Sequence, residues 1–303
     1  MTQNEYHIPV LRDACVDGLK LKPDGIYVDA TFGGGGHSRA ILEELGSKGK
    51  LIGFDQDKDA QENAIDDDRF QLIPENFRYL KRFLKFHGYT EVDGILADFG
   101  VSSHQFNVPD RGFSIRYDAE LDMRMDQSQA LTAKQIINEY PEDKLIQIIR
   151  QYAELKMAPK LVDAILSARA EQPIKTTFQL NDILESYLPK TKSNKFLAQI
   201  YQALRIEVNQ ELEALKEFLN QSVEVLKPGG RICLMSYHSL EDRLVKHFIR
   251  SGNFDDDIQK DFYGNVQRPL KKVGKLIVPD QKEILENSRS RSARLRIAEK
   301  LEA

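Results

Sequence analysis

The sequence predicts an α/β fold, a parallel sheet interrupted by an inserted all-helical domain. Short apolar runs alternate with helical patterns over roughly the first hundred residues, the rhythm of a parallel sheet. The first run, Tyr27-Val28-Asp29, opens into four consecutive glycines, Gly33 to Gly36, and then a helix. From residue 108 to about 201 only helical patterns appear, and the strands resume afterwards.

Residues 12–19 read as a short helix after His7-Ile8-Pro9-Val10-Leu11, and Pro23-Asp24-Gly25 as a turn into the first strand. The glycines after Asp29 let the chain reverse at positive φ and bring backbone N–H groups close to a ligand. The helix over residues 38–45, stopped at Gly46, points its N-terminus the same way. A second strand over residues 50–54 ends in Asp55, 26 residues after Asp29, a spacing at which an acid hydrogen-bonds ribose hydroxyls. Residues 57–64 follow as a helix and Asp66-Asp67-Asp68 as a solvated loop. A third strand over 70–73 leads to Pro74-Glu75-Asn76-Phe77 and a helix over 78–87. The fourth strand, 92–98, is continuously apolar and ends in Asp98. The glycine turn, Asp55, Asn76-Phe77 and the stretch from Asp98 to Gln105 thus converge at the carboxyl ends of the strands.

A glycine-rich turn alone also fits an ordinary loop. A nicotinamide-dinucleotide fingerprint wants glycine at its first, third and sixth positions, and the sixth from Gly33 is Ser38. Counting by twos from Asp29 gives Thr31, Gly33 and Gly35, which resembles the D-x-G-x-G-x-G turn of S-adenosylmethionine methyltransferases with Thr in the first glycine slot. The cofactor expected is therefore S-adenosylmethionine, and the sheet Rossmann-like. Phe77 reads either as an adenine contact or as core filling, and its place after the third strand favours adenine. Asp98 reads as a helix cap or as the acid beside the loop where amino-directed methyltransferases hold a target amine.

The segment 111–126 is irregular, charged and aromatic, too long for a mere connection and so a functional loop, with Arg111, Arg116 and Arg124 on it. Helical patterns follow over 133–139, 142–151, 158–170 and 180–187, the last after the cap-like Thr176-Thr177. A long amphipathic helix, 209–226, stops at Lys227-Pro228-Gly229-Gly230 and leads to a strand over 231–236. The expected division is a discontinuous methyltransferase domain, 1–107 and 202–303, around a helical insertion, 108–201. The tail reads as a hairpin, 275–278 pairing with 293–298. Over residues 265–303 Lys and Arg outnumber acids ten to five, which suits a solvated face or RNA contact equally.

With 303 residues the chain can bury a full core, and its net charge of −4 argues against coating nucleic acid through bulk charge. No secretory signal and no bilayer-length apolar run is apparent, so the expected location is the cytoplasm without membrane attachment. Cys15 and Cys233 make neither a disulfide framework nor a metal knuckle, and no metal site is expected.

The stretches D-A-T-F-G-G-G-G-H-S (29–38), D-F-G-V-S-S-H-Q (98–105) and R-G-F-S-I-R-Y-D-A-E-L-D-M-R-M-D (111–126) closely resemble the bacterial RsmH (MraW) family. So do Y-Q-A-L-R-I-E-V-N (201–209), S-Y-H-S-L-E-D-R (236–243) and N-S-R-S-R-S-A-R-L-R (287–296), in order along nearly the whole chain. The resemblance implies an S-adenosylmethionine-dependent methyltransferase acting on the 4-amino group of a cytidine in small-subunit (16S) ribosomal RNA, in a ribosomal particle. It implies cofactor contacts at Gly35, Gly36, His37, Asp55, Phe77, Asp98 and Gln105. Two departures, Ser193 to Tyr201 where the family usually has H-P-A-T or similar, and Glu120 for a usual Pro, bear on RNA docking and not on the cofactor.

A cytosine amine has its lone pair delocalised into the ring, so attack on a sulfonium methyl requires the nitrogen to pyramidalise, and an acceptor on its N–H helps. Asp98, Ser102 and Ser103 are the expected acceptors, with Tyr237 and His238 on the opposite wall. His238 equally suits a hydrogen bond at the start of a helix over Ser239-Leu240-Glu241-Asp242. The insertion suits RNA docking or a homodimer surface. The alternative functions are a non-catalytic nucleoside-binding module of ribosome assembly and a DNA or protein amino-methyltransferase.

Overall fold

The computed structural model describes residues 9–100 and 108–302, apart from the side chain of Pro109. The chain divides into two compact units, one of residues 1–100 and 213–303 and one of residues 101–212. The first unit holds a seven-stranded sheet in the order β3-β2-β1-β4-β5-β7-β6. Its strands are β1 (Ile26–Asp29), β2 (Lys50–Phe54), β3 (Phe70–Ile73), β4 (Val92–Asp98), β5 (Leu226–Ser236), β6 (Leu270–Ile277) and β7 (Arg294–Lys300). The first five pair in parallel, and β7 runs antiparallel between β5 and β6. This is the Rossmann-like sheet the strand rhythm predicts, with the order reversing between β1 and β4.

Helices cover both faces. On one, α1 (Arg12–Leu19) and α2 (Gly36–Glu44) bury Cys15, Leu19 and Ile41 against Leu51, Leu96 and Met235. On the other, α4 (Leu80–Phe86), α10 (Glu211–Val225) and α11 (Ser239–Ser251) bury Leu80, Leu84, Phe218 and Phe248 against Ile52, Ile95 and Leu234. Covered on both sides, β4 is buried from Val92 to Ala97, which explains its unbroken apolar run. Each such large side chain contributes about 1.5–3 kcal/mol of burial.

Three local expectations change. The helix expected over 57–64 shortens to α3 (Lys58–Gln61), because Asn63 turns away to hold the glycine turn through a bond from Nδ2 to Gly33 O, 3.2 Å. The strand expected from residue 231 begins at Leu226, directly after α10, and Lys227 to Gly230 form a bulge. Pairing passes from Val92↔Leu226 to Gly94↔Arg231, and a Cβ on Gly230 would stand 2.8 Å from Lys227 O. The tail hairpin pairs Leu270↔Lys300 through Ile277↔Leu295, and its connection contains α12 (Gln281–Glu286) and a 3₁₀ turn (Ser288–Ser292) instead of a simple loop.

The helical unit contains α5 (Ala133–Glu139), α6 (Glu142–Tyr152), α7 (Ala158–Glu171), α8 (Thr177–Glu185) and α9 (Ser193–Asn209) around its own core, with Ile136, Ile148, Leu161, Leu180 and Leu204 fully buried or nearly so. Capping boxes start α5, through Thr132 and Gln135, and α8, through Thr176 and Gln179. The chain leaves this unit after Leu212, not at the expected residue 202, because α9 runs unbroken to Asn209 and only then does Gln210 turn at φ 50°. Among the described residues no helix is long and apolar enough to cross a membrane.

Candidate functional site

The switch point between β1 and β4 places the ends of both strands beside the glycine turn, where an open α/β sheet takes its ligand. Asp29 closes β1 as a buried carboxylate that accepts from Thr31 N–H, 3.2 Å, and from the Ser38 hydroxyl, 2.7 Å, locking the turn to the first helical residues of α2. Burial pushes its pKa up. The turn itself uses positive φ at Gly33 (50°) and Gly35 (72°), and a Cβ on Gly35 would lie 2.9 Å from the Phe32 ring. Its carbonyls are tied down: Arg39 Nη1 donates to Gly34 O at 2.7 Å and Asn63 Nδ2 to Gly33 O.

Asp55 follows β2. Its Oδ2 accepts from Gly33 N–H and its Oδ1 from Asp57 N–H, both at 2.8 Å, so the acid predicted to face a ribose also braces the glycine turn. The carboxylate is only partly buried, and each oxygen keeps a further acceptor site. Desolvation lifts its pKa from 3.8 to about 6. Beyond β3, Asn76 donates to Gln56 Oε1 at 2.7 Å and accepts from Arg78 N–H at 2.8 Å, setting the turn that carries Phe77. The Phe77 ring meets Phe218 edge-on, with centroids 5.2 Å apart, and stays half-buried. It therefore fills core on one side and leaves surface for a ligand on the other.

Asp98 ends β4. Its backbone N–H donates to Thr31 Oγ1 at 2.7 Å, and its Oδ2 accepts from the Tyr237 hydroxyl at 3.3 Å. His37 Nε2 lies 3.8 Å from that same oxygen. Burial, reinforced by the Asp98 charge, pushes the Tyr237 phenol well above its ordinary pKa, so it remains a donor. Among the described residues, neither ring nitrogen of His37 nor Asp98 Oδ1 has a hydrogen-bond partner, although all three atoms are buried. Leaving a buried polar atom unpaired costs about 1–3 kcal/mol. Three in one cluster, at the switch point, are what a bound polar ligand would satisfy.

His238 takes the other of its two expected places: it is the N-cap of α11, its Nδ1 accepting from Glu241 N–H at 3.4 Å, with Nε2 3.1 Å from the buried Glu241 carboxylate. Glu241 also accepts from Tyr237 N–H at 2.9 Å, so this capping group fixes the backbone that carries Tyr237. The structure thus brings together Gly35, Gly36, His37, Asp55, Phe77, Asp98 and Tyr237 in the sheet unit, while Ser102, Ser103 and Gln105 lie outside the described residues. Sequence reasoning missed the work of Asp29, Thr31 and Asn63. The acid closing an apolar strand was a signal for Asp29, but nothing local marks the other two.

The loop over 111–126 differs from its expected character. Arg111 is 5% exposed and donates to Arg124 O and Met125 O, at 3.0 and 3.1 Å. Arg124 is paired with Asp122, 2.8 Å. Asn209 holds the loop from α9, accepting from Met125 N–H at 2.7 Å and donating to Met123 O at 2.8 Å. Of the three arginines only Arg116 is exposed; the other two build the loop.

The model of the MraW methylase family matches residues 4–301 of the chain. A protein of Flavobacterium johnsoniae named ribosomal RNA small subunit methyltransferase H is 62% identical over 300 residues, covering 99% of both chains. Proteins of the same name from Christiangramia forsetii and Bacteroides fragilis are 63% and 52% identical, each covering 98% of both chains.

Proposed function

The chain belongs to the MraW methylase family, and from that premise we propose that it methylates the exocyclic 4-amino group of a cytidine in small-subunit (16S) ribosomal RNA, in the cytoplasm and on a ribosomal particle. The observation that carries this reading is Asp98 Oδ1, buried and unpaired among the described residues, beside His37 at the end of β4. The donor set fits S-adenosylmethionine: acceptors for hydroxyls at Asp55, a half-buried aromatic at Phe77, a glycine turn at positive φ, and polar atoms at His37 and Asp98 that are unpaired among the described residues. When bound, that cofactor supplies a methyl group activated by a sulfonium.

In this reading Asp55 takes the ribose hydroxyls, Phe77 packs against the adenine, and Gly35, Gly36, His37 and Gln105 line the remainder of the cofactor. Tyr237 holds Asp98 Oδ2, which leaves Oδ1 to accept an N–H of the cytosine amine. That bond steers nitrogen electron density away from the ring as the nitrogen pyramidalises. The bound cofactor would supply its methyl group to the nitrogen lone pair and keep the sulfur electrons, and Asp98 or water would take the surplus amine proton. Ser102 and Ser103, which follow Asp98 in the sequence, offer further hydroxyl acceptors, and His238 acts by capping α11. In-line placement at roughly 3 Å contributes much of the acceleration. The base must leave any stack to reach the site, so the target nucleotide is single-stranded or splayed out. The helical unit, 101–212, is assigned to docking the RNA.

Incubation with S-adenosylmethionine labelled in the methyl group, offering small subunits, duplex DNA and bulk protein in competition, tests the substrate class. Label is expected in the ribosomal RNA. Label in DNA or protein, or none, overturns the reading.

A further inference from the structure

Away from the switch point, a cavity of about 200 Å³ opens between α11 and the β6–β7 edge of the sheet. Six cations line it, Lys246, Arg250, Arg268, Lys272, Lys275 and Arg296, and no acid does. Two are already neutralised: Arg296 by Asp242, 2.8 Å, and Arg250 by Asp256. Lys246, Arg268, Lys272 and Lys275 have no carboxylate within salt-bridge reach among the described residues. Lysines on an edge strand such as β6 commonly keep a sheet from pairing with another. That does not account for Lys246 on α11 and Arg268 on the preceding loop converging on the same cavity from separate elements.

The loop that delivers Arg268 ends in an ordered tip. Lys260 and Val266 pair across it, and Asp261 accepts from Tyr263 N–H, Asn265 N–H and Asn265 Nδ2 at 2.8–3.0 Å. At its apex Phe262 and Tyr263 are 99% and 86% exposed, edge to face with centroids 5.7 Å apart. A well-bonded turn thus presents two large aromatics to water, an exposure that marks interaction surfaces.

We propose that the cavity and this tip form a second RNA contact on the sheet unit: the unpaired cations take phosphates of a single-stranded stretch, and Phe262 and Tyr263 stack on its bases. Phosphate charge meets a cavity free of acids, and exposed aromatics on the loop that delivers Arg268 to a cationic groove are the combination that holds single-stranded nucleic acid. The proposal rests on the ribosomal RNA reading and deepens it, since it places part of the affinity outside the helical unit.

The test uses the full chain and a fluorescein-labelled single-stranded RNA 20-mer, with anisotropy measured across a salt series. Lys246→Gln/Lys272→Gln/Lys275→Gln is expected to lower affinity at least tenfold at 0.1 M salt and to flatten the salt slope by about 2, at about 0.7 per phosphate contact. Phe262→Ala/Tyr263→Ala is expected to lose roughly five- to hundred-fold per unstacked base while keeping the parental salt slope. Calorimetry with S-adenosylmethionine and circular dichroism on the same variants should match the parent. If the parent binds no RNA, or both variants bind it like the parent, the second contact does not exist. If the parent methylates small subunits while these variants bind unchanged, this inference fails alone. If RNA binding depends on the groove but no methyl is transferred, the proposed activity fails and the groove stands.

Discussion

Replacing Asp55 with Asn removes one charge at the end of β2 and keeps the side chain's size. In the wild type that carboxylate accepts from two backbone N–H groups at 2.8 Å, and burial lifts its pKa from 3.8 to about 6. A shift of this size is worth about 3 kcal/mol. The unfolded side chain loses its proton near 3.8 and the folded one near 6, so between those values the folded state holds a proton the unfolded state lacks. Stability from this group is therefore fully present below the unfolded value and lost as the pH rises through about 6. Asp55→Asn is expected to remove that fall from urea-unfolding curves taken across the window. Cofactor affinity runs the other way, because hydroxyls donate to the ionised carboxylate. Wild-type affinity should drop about tenfold per pH unit below the folded pKa. The Asn variant should show no such dependence, and at pH 8 should bind about ten- to hundred-fold more weakly, the worth of charge-assisted hydrogen bonds at about 1.5–3 kcal/mol. Isothermal titration of S-adenosylmethionine at several pH values reads both. Wild-type affinity flat through the window, or a folded Asn variant that binds as tightly as its parent, would refute the assignment.

Gly35→Ala forces a side chain into φ 72° against the Phe32 ring, and is expected to cost at least about 1–2 kcal/mol of stability in thermal unfolding along with most cofactor affinity. Asp98→Asn, nearly isosteric, should fold and bind RNA yet lower single-turnover methyl transfer about a hundredfold or more, at about 2.7–4 kcal/mol for a pre-organised hydrogen bond in the transition state; a full parental rate excludes Asp98 as the acceptor. Cys15→Ala/Cys233→Ala should keep its methylation rate. Both thiols are buried, and burial pushes Cys233 up to about 12 and Cys15 well above its ordinary value, so neither supplies the thiolate a covalent route to a ring carbon needs. A folded double variant without activity would contradict direct transfer.

Much of the sheet unit is legible in the sequence because each cue is local. Apolar runs of strand length mark β1 to β4, and acids at their ends, Asp29, Asp55 and Asp98, mark the ligand side. The glycine turn announces itself because positive φ at Gly33 and Gly35 demands glycine. What stays hidden depends on partners distant in sequence or on residues that break the usual rule. Tyr237 reaches Asp98 from 139 positions away, and Asn63 reaches Gly33 from 30. The helix over 193–209 goes unread, and the break after it is hidden because Gln210, not glycine, adopts the left-handed turn. Arg111 and Arg124 look like RNA ligands when read as charges along a loop, and become loop scaffold once Asp122 and the carbonyls of Arg124 and Met125 fold back onto them.

The central claim is that the methyl group reaches the exocyclic amine and not a ring atom. Small subunits incubated with the enzyme and S-adenosylmethionine deuterated in its methyl group, then digested to nucleosides and resolved by mass spectrometry, read the acceptor atom directly. The geometry around Asp98 predicts that the deuterated methyl appears in N4-methylated cytidine, while 5-methylcytidine carrying that label, or labelled nucleosides other than cytidine, would contradict it.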